Sequence, residues 1–313
     1  MLFDHYCALA VDSACPSGVL DGSTLASGFV DGCTQQFASA VRLRDKKEQE
    51  RRKNNARRCY QDRVAALERV SLPHELCIDR AAPIRLPTWL AIDIAFELKT
   101  PWYSKDDRPL HVLDNPVRKD RVFGVPFMSA SSWKGLLRWS CRMEHGLLDH
   151  LAKHDGKIDG WEEPPWIVHL FGNAKGEDDH FARGALQAYP TWFDKVGFEV
   201  INPHDRSRRA GTQPITYEVV PAGRRATLHL LYAPTPGQAH RQRVDPVDVM
   251  RRLLDAANKL LTVYGFSAKR TAGWGLAEVR NAEIRSKDES KSGGVDDLKA
   301  ELPQILGATG GGA

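Results

Sequence analysis

No apolar run in the 313 residues approaches the roughly 20 that a membrane-spanning helix needs, so the sequence predicts no membrane partner. No C-x-x-C pair occurs among the six cysteines (Cys7, Cys15, Cys33, Cys59, Cys77, Cys141), which argues against a zinc ribbon. In a chain this long they fit free thiols in a reducing cytoplasm. The opening "MLFDHYCALAVDSACPSG" has an acid and a histidine where a secretory signal has cations, so it is not read as one. There is no internal repeat and no G-x-x-x-x-G-K-[ST] loop, which excludes a solenoid and a Walker phosphate site. A large excess of one charge is lacking too: the formal net charge is +4.

Cations are present in clusters instead. They fill 42–69, "RLRDKKEQERRKNNARRCYQDRVAALER", and recur in "DRSRR", "AGRR" and "SAKR". Local clusters on a nearly neutral chain point to a polyanion site, with a solvated surface as the plainer alternative for each cluster alone.

Hydrophobic periodicity gives the fold. "TWLAIDIAFELKT" alternates, with Leu90, Ile92, Ile94, Phe96 and Leu98 on one face, and predicts a half-buried strand. A helix is predicted from Ser131 to about Leu151, then strands at "GALQAYPTW" and "RATLHLLYA". A second helix follows over "DPVDVMRRLLDAANKLLTVYG", capped by Asp245, opened by Pro246 and stopped by a left-handed Gly265. "LAEVRNAEI" is the last predicted strand. The order βαββαβ predicts an α+β, ferredoxin-like (RRM-like) core with both helices on one face and long insertions. Before it, residues 1–86 form an extension with a basic helix over 40–70, whose thin apolar stripe is Leu43, Ala56, Tyr60, Val64 and Leu67. Residues 87–285 form the domain, and 286–313 read as a loose, polar tail.

Three stretches carry chemistry. In "SASSWKGLLRWSCRMEH", Ser131 or Ser132 is placed to cap a helix, and Lys134, Arg138 and Arg142 follow at i, i+4, i+8. A helix N-terminus beside such a stripe suits a phosphate. Ser131 and Lys134 also match the Ser-x-x-Lys nucleophile–base spacing, but the Ser-Asp-Asn and Lys-Thr-Gly partners of that chemistry are absent. In "GFSAKRTAGWGLAEV", Gly265, Gly273 and Gly275 surround Lys269 and Arg270, which suits close approach of backbone amides to an anion, or a simple surface turn. In "YSKDDRPLHVLDNPVRKDRVFGVPF", Asp106, Asp107, Asp114, Asp120 and His111 lie among cations. Beside a phosphodiester, a carboxylate there can take a 2′-OH proton or hold a divalent metal; each is otherwise a turn residue. His150 and His154, one helical turn apart, and "DDH" at 178–180 are lesser candidates.

Taken in this order, the stretches resemble the repeat-associated (RAMP) superfamily, the ferredoxin-like RNA-binding subunits of CRISPR effector complexes, and most of all the backbone-forming subunits of type III systems. "LDNPVRKD" (113–120) resembles their D-[SN]-P-V-x-[RK]-D loop, "VPFMSASSWKGLLR" (125–138) their "PGSSLKG" helix start, and "GFSAKRTAGWG" their late glycine-rich loop. "LFGNAKG" and "INPHDRSRRAGTQPITYEVVPAG" are similar to further landmarks, the second leading into an inserted thumb-like hairpin. The family's Pro-Gly before the serines is Ser129-Ala130 here, and residues 1–86 have no counterpart. The resemblance implies that Asp114 cuts target RNA, with Mg2+ or another divalent metal assisting attack by a ribose 2′-OH. It implies that Lys134, Arg138, Lys269, Arg270, Gly273, Gly275, Ser131 and Ser132 hold crRNA in a cytoplasmic ribonucleoprotein. Its partners would be target RNA, other effector subunits and possible copies of itself. Two alternatives stay open: a capping or bridging subunit that only binds RNA, and a stand-alone repeat-processing endoribonuclease using His111.

Overall fold

The computed structural model describes residues 33–70, 72–78, 82–107, 111–120, 123–173, 182–205, 210–211 and 214–307. "DDH" at 178–180 and the run 206–209 of "DRSRR" lie outside them. The helices described are α1 (Cys33–Val41), α2 (Lys46–Ala66), α3 (Ala130–Glu144), α4 (Leu147–Lys153), α5 (Pro165–Phe171), α6 (Gln238–Arg241), α7 (Pro246–Lys259) and α8 (Val295–Gly307). The strands are β1 (Leu90–Leu98), β2 (Phe127–Met128), β3 (Leu186–Ala188), β4 (Thr191–Trp192), β5 (Gly197–Ile201), β6 (His204–Asp205), β7 (Ala210–Gly211), β8 (Ile215–Val219), β9 (Arg225–Tyr232), β10 (Ala277–Arg285) and β11 (Ser290–Gly293).

One antiparallel sheet runs β11-β10-β1-β9-β3. Without β11 the order is that of the split βαβ core, with α3 crossing between β1 and β3 and α7 between β9 and β10. The alternation in β1 explains its central place: Leu90, Ile92, Ile94, Phe96 and Leu98 are all buried against the helices. From α3, Trp133, Leu137 and Cys141 meet them; from α7 come Met250, Leu253, Leu254 and Ala257. Burying each of the larger side chains stabilises by about 1.5–3 kcal/mol. The opposite face of the sheet carries a hydrogen bond between His229 and Asp93 and the ion pairs Glu97–Arg225 and Glu97–Arg280. It presents no Phe, Tyr or Trp from β1 or β9, so it lacks the stacking platform of an RRM.

Several expectations are corrected in detail. The first helix breaks at His145-Gly146, where Gly146 takes φ +95, and resumes as α4. "GALQAYPTW" splits at Tyr189-Pro190 into β3, which pairs β9, and β4, which pairs β2. Gly265 has φ +74 but an extended ψ of 156, and α7 reaches it through a π-turn, Leu260–Tyr264. The tail is not loose throughout: β11 extends the sheet, and α8 buries Val295, Leu298, Leu302 and Ile305. The apolar spacing of those four residues outweighs the polar composition around them. The hairpin insertion is β5–β8, continued by the pair β6–β7.

Candidate nucleic-acid interface

Ser129, not Ser131 or Ser132, caps α3: its Oγ accepts from the Ser132 amide at 3.2 Å. Ala130 already has helical geometry, so the cap falls one residue before the expected pair. Ser131 and Ser132 instead turn their hydroxyls to Ser129 Oγ, at 3.0 and 2.8 Å. An aromatic pile fixes this helix end against the glycine-rich loop: Trp133 stacks on Phe266 at 4.9 Å, and both meet Phe96.

The result is a cleft of about 380 Å³ lined by Ser131, Ser132 and Gly135 from α3 and by Ser267, Ala268 and Arg270 from the loop. Two stretches more than 130 positions apart in the chain thus share one opening, with the first turns of α3 on one wall and the Arg270 side of the loop on the other. Arg270 lies over the Trp139 ring at 4.5 Å. Lys269 lies over Tyr217 of β8 at 5.0 Å, beside a cluster of Tyr103, Tyr217 and Trp274. The aromatic partners hold both cations in place without neutralising them.

The loop's shape depends on its glycines. Gly275 has φ +83, and a Cβ there would meet the Ser267 backbone nitrogen at 2.5 Å. Gly273 has φ +77 but open space around it. Gly275→Ala is expected to destabilise by about 1–3 kcal/mol or more through strain and clash, and Gly273→Ala by about 1 kcal/mol. Thermal unfolding of the two variants checks the order; equal losses would contradict it.

The helix stripe behaves differently from expectation. Arg138 and Arg142 both donate to Glu163, which lies in the segment before α5. Burial pushes the Glu163 carboxyl up, but the hydrogen bonds from Arg138 and Arg142 outweigh it and hold the carboxyl below its usual range. Arg138 is therefore engaged inside the protein. Lys134 does not line the cleft, and burial, then the charge of Arg138, lower its pKa. The missed signal was Glu163, an acid 25 positions on from Arg138 with no sequence pattern linking them.

Asp114 stands on the far side of the same wall. The strip after β1 pairs on one edge with the glycine-rich loop, through Ala268 N to Tyr103 O and Gly275 N to Pro101 O, both at 2.8 Å. On the other edge it pairs with the Asp114 loop, through Arg118 N to Ser104 O at 2.7 Å and Asp106 N to Pro116 O at 3.1 Å. Asn115 adds the loop to the free edge of β8: Glu218 N donates to Asn115 O at 3.0 Å. Beneath it, the Lys119 ammonium meets Glu218 at 2.6 Å, Tyr60 of α2 donates to Glu218 at 2.5 Å, and the Val117 amide donates to it at 2.9 Å. Asp114 itself is 77% exposed, and Arg57 of α2 reaches it at 3.1 Å.

The remaining candidates lie outside the cleft. Asp106 is buried, with His111 Nε2 at 3.7 Å from it, and His111 does not line the cleft. Asp120 accepts from the Phe123 amide in a turn. The rings of His150 and His154 stack at 4.1 Å, and both bond backbone carbonyls. No group of three His, Cys, Asp or Glu among the described residues could hold a metal, and the Asp114 carboxylate faces a guanidinium. No helix among the described residues is long and apolar enough to cross a membrane.

Comparison with known proteins bears on the fold and the family. A search of curated proteins finds no match. A chain of the type III-B Cmr-beta complex, solved by cryo-EM bound to cognate target RNA, is similar at TM-score 0.52 and 14% identity, over 91% of this chain and 98% of that one. That likeness shows a shared fold. Chains of the Csm3-Csm4 subcomplex of the type III-A interference complex (TM-score 0.42, 15% identity, 71% of this chain and 98% of that one) and of a CRISPR RNA-guided surveillance complex (0.43, 16%, 63% and 68%) are similar at lower values. The model of the RAMP superfamily matches residues 95–278, more than half of the chain. The chain belongs to the RAMP superfamily.

Proposed function

We propose that the chain is a crRNA-binding subunit of a type III CRISPR effector complex. The observation that carries this is the cleft where the α3 N-terminus and the glycine-rich loop meet, with Arg270 on its wall and Lys269 beside it. A helix N-terminus and cations placed in this way suit the phosphates of a guide and leave its sequence to be read by base pairing. Partner subunits and copies of the chain would share the same RNA. The test is a salt titration of single-stranded RNA binding by fluorescence anisotropy. Lys269→Ala with Arg270→Ala is expected to lower the slope of log K against log salt by about 1.4, two phosphate contacts at roughly 0.7 each. An unchanged slope would contradict guide binding in the cleft.

Cleavage is the finer part of the reading. Asp114 would take the proton from a ribose 2′-OH of the guide-paired strand. The freed oxygen attacks the adjacent phosphorus, the bond to the 5′-oxygen breaks, and that oxygen takes a proton from water. Arg57, 3.1 Å from Asp114, is near enough to answer the charge on the phosphate. The same ion pair favours the second reading, in which Arg57 keeps Asp114 engaged and the subunit bridges its neighbours without cutting.

A further inference from the structure

The guide cleft leaves the most basic helix of the chain unexplained. In α2, eight lysines and arginines stand against three acids over 21 residues. Ala56, Tyr60 and Val64 anchor its inner stripe to the core. At 3.6 residues per turn, Lys47, Arg51 and Arg58 share the opposite face with Asn54 and Asn55, and all five are exposed. Glu48 offsets part of this charge. Hydrogen bonds from Arg51, then Arg52, hold its carboxyl down to about 2, so it stays ionised at any working pH. The exposed residues of α2 include no large apolar side chain, whereas protein interfaces centre on apolar and aromatic groups. A chain of phosphates suits this face better.

Position names the strand. Arg57, on the flank of α2, lies over the Phe37 ring at 5.4 Å and bonds both Asp114 oxygens, at 3.1 and 3.3 Å. A helix with its side chains is about 10–12 Å across, so the outer face sits roughly that far from the Asp114 carboxylate.

We infer that the outer face of α2 is a second RNA-backbone site, separate from the guide cleft, which holds the phosphates of the guide-paired strand where it passes Asp114. This rests on the guide-binding reading above. The full-length chain is titrated with a labelled single strand and with the same strand annealed to its complement. In the triple variant Lys47→Gln, Arg51→Gln, Arg58→Gln, single-strand binding is expected to stay at the wild-type level. The duplex salt slope should fall by about 2–3, with duplex affinity at least about tenfold weaker near 100 mM salt. Equal losses on both RNAs would overturn the inference by placing the guide on α2. No loss on either would overturn it by leaving the face to a protein or to solvent. Wild-type protein that binds neither RNA would sink the guide-binding reading itself, and this inference with it. Circular dichroism of the variant confirms that the exposed substitutions leave the fold intact.

Discussion

Replacing Asp114 by alanine is expected to lower target-RNA cleavage by the assembled complex about 10²–10⁴-fold, the usual contribution of a positioned general base. RNA binding should not change. The side chain is 77% exposed, and its ion pair with Arg57 is of the kind that contributes about 0–1 kcal/mol. The loop around it is held by other contacts: Asn115 on β8 and Val117 and Lys119 on Glu218. A loss of cleavage therefore reports chemistry rather than unfolding. Unchanged cleavage would select the bridging reading, in which Arg57 and Asp114 only join α2 to the loop. Gel analysis of end-labelled target RNA with the wild-type and variant complexes decides between them.

Glu218→Ala is expected to cost the most stability, about 3–5 kcal/mol, because it breaks a buried ion pair from one side. The side chains of Lys119 and Glu218 are 4% and 1% exposed. Glu218 is the shared acceptor for the Lys119 ammonium, the Tyr60 hydroxyl and the Val117 amide. It therefore joins the hairpin, the Asp114 loop and α2 at one carboxylate. Lys119→Met combined with Glu218→Gln should recover more than half of the loss, since no uncompensated charge is then buried. Urea unfolding of the single and double variants measures this. Additive losses would show that the pair is not coupled.

The sequence made the core legible because its elements announce themselves locally. The alternation of β1 and the capped, amphipathic α7 each lie within about 20 residues, and their inward faces are the ones now buried. The two stretches that line the cleft were each legible, because serines at a helix start and glycines beside cations have local physical meaning; that they meet was not. What escaped was pairing at long range. Nothing near Asp114 signals Arg57, 57 positions away, and nothing near Arg138 signals Glu163. The Tyr217 and Trp139 rings under Lys269 and Arg270 come from other elements. Composition also misled at the tail, where Leu298, Leu302 and Ile305 keep a helical spacing inside a polar segment.

If the guide lies in the cleft, one RNA strand touches both of its walls. Photo-crosslinking of a guide carrying 4-thiouridine in the assembled complex, followed by peptide mapping, tests it most directly. Crosslinks are expected in both the stretch 129–136 and the stretch 266–275. Crosslinks confined to the ion-paired outer face of the sheet, or absent from both stretches, would contradict it.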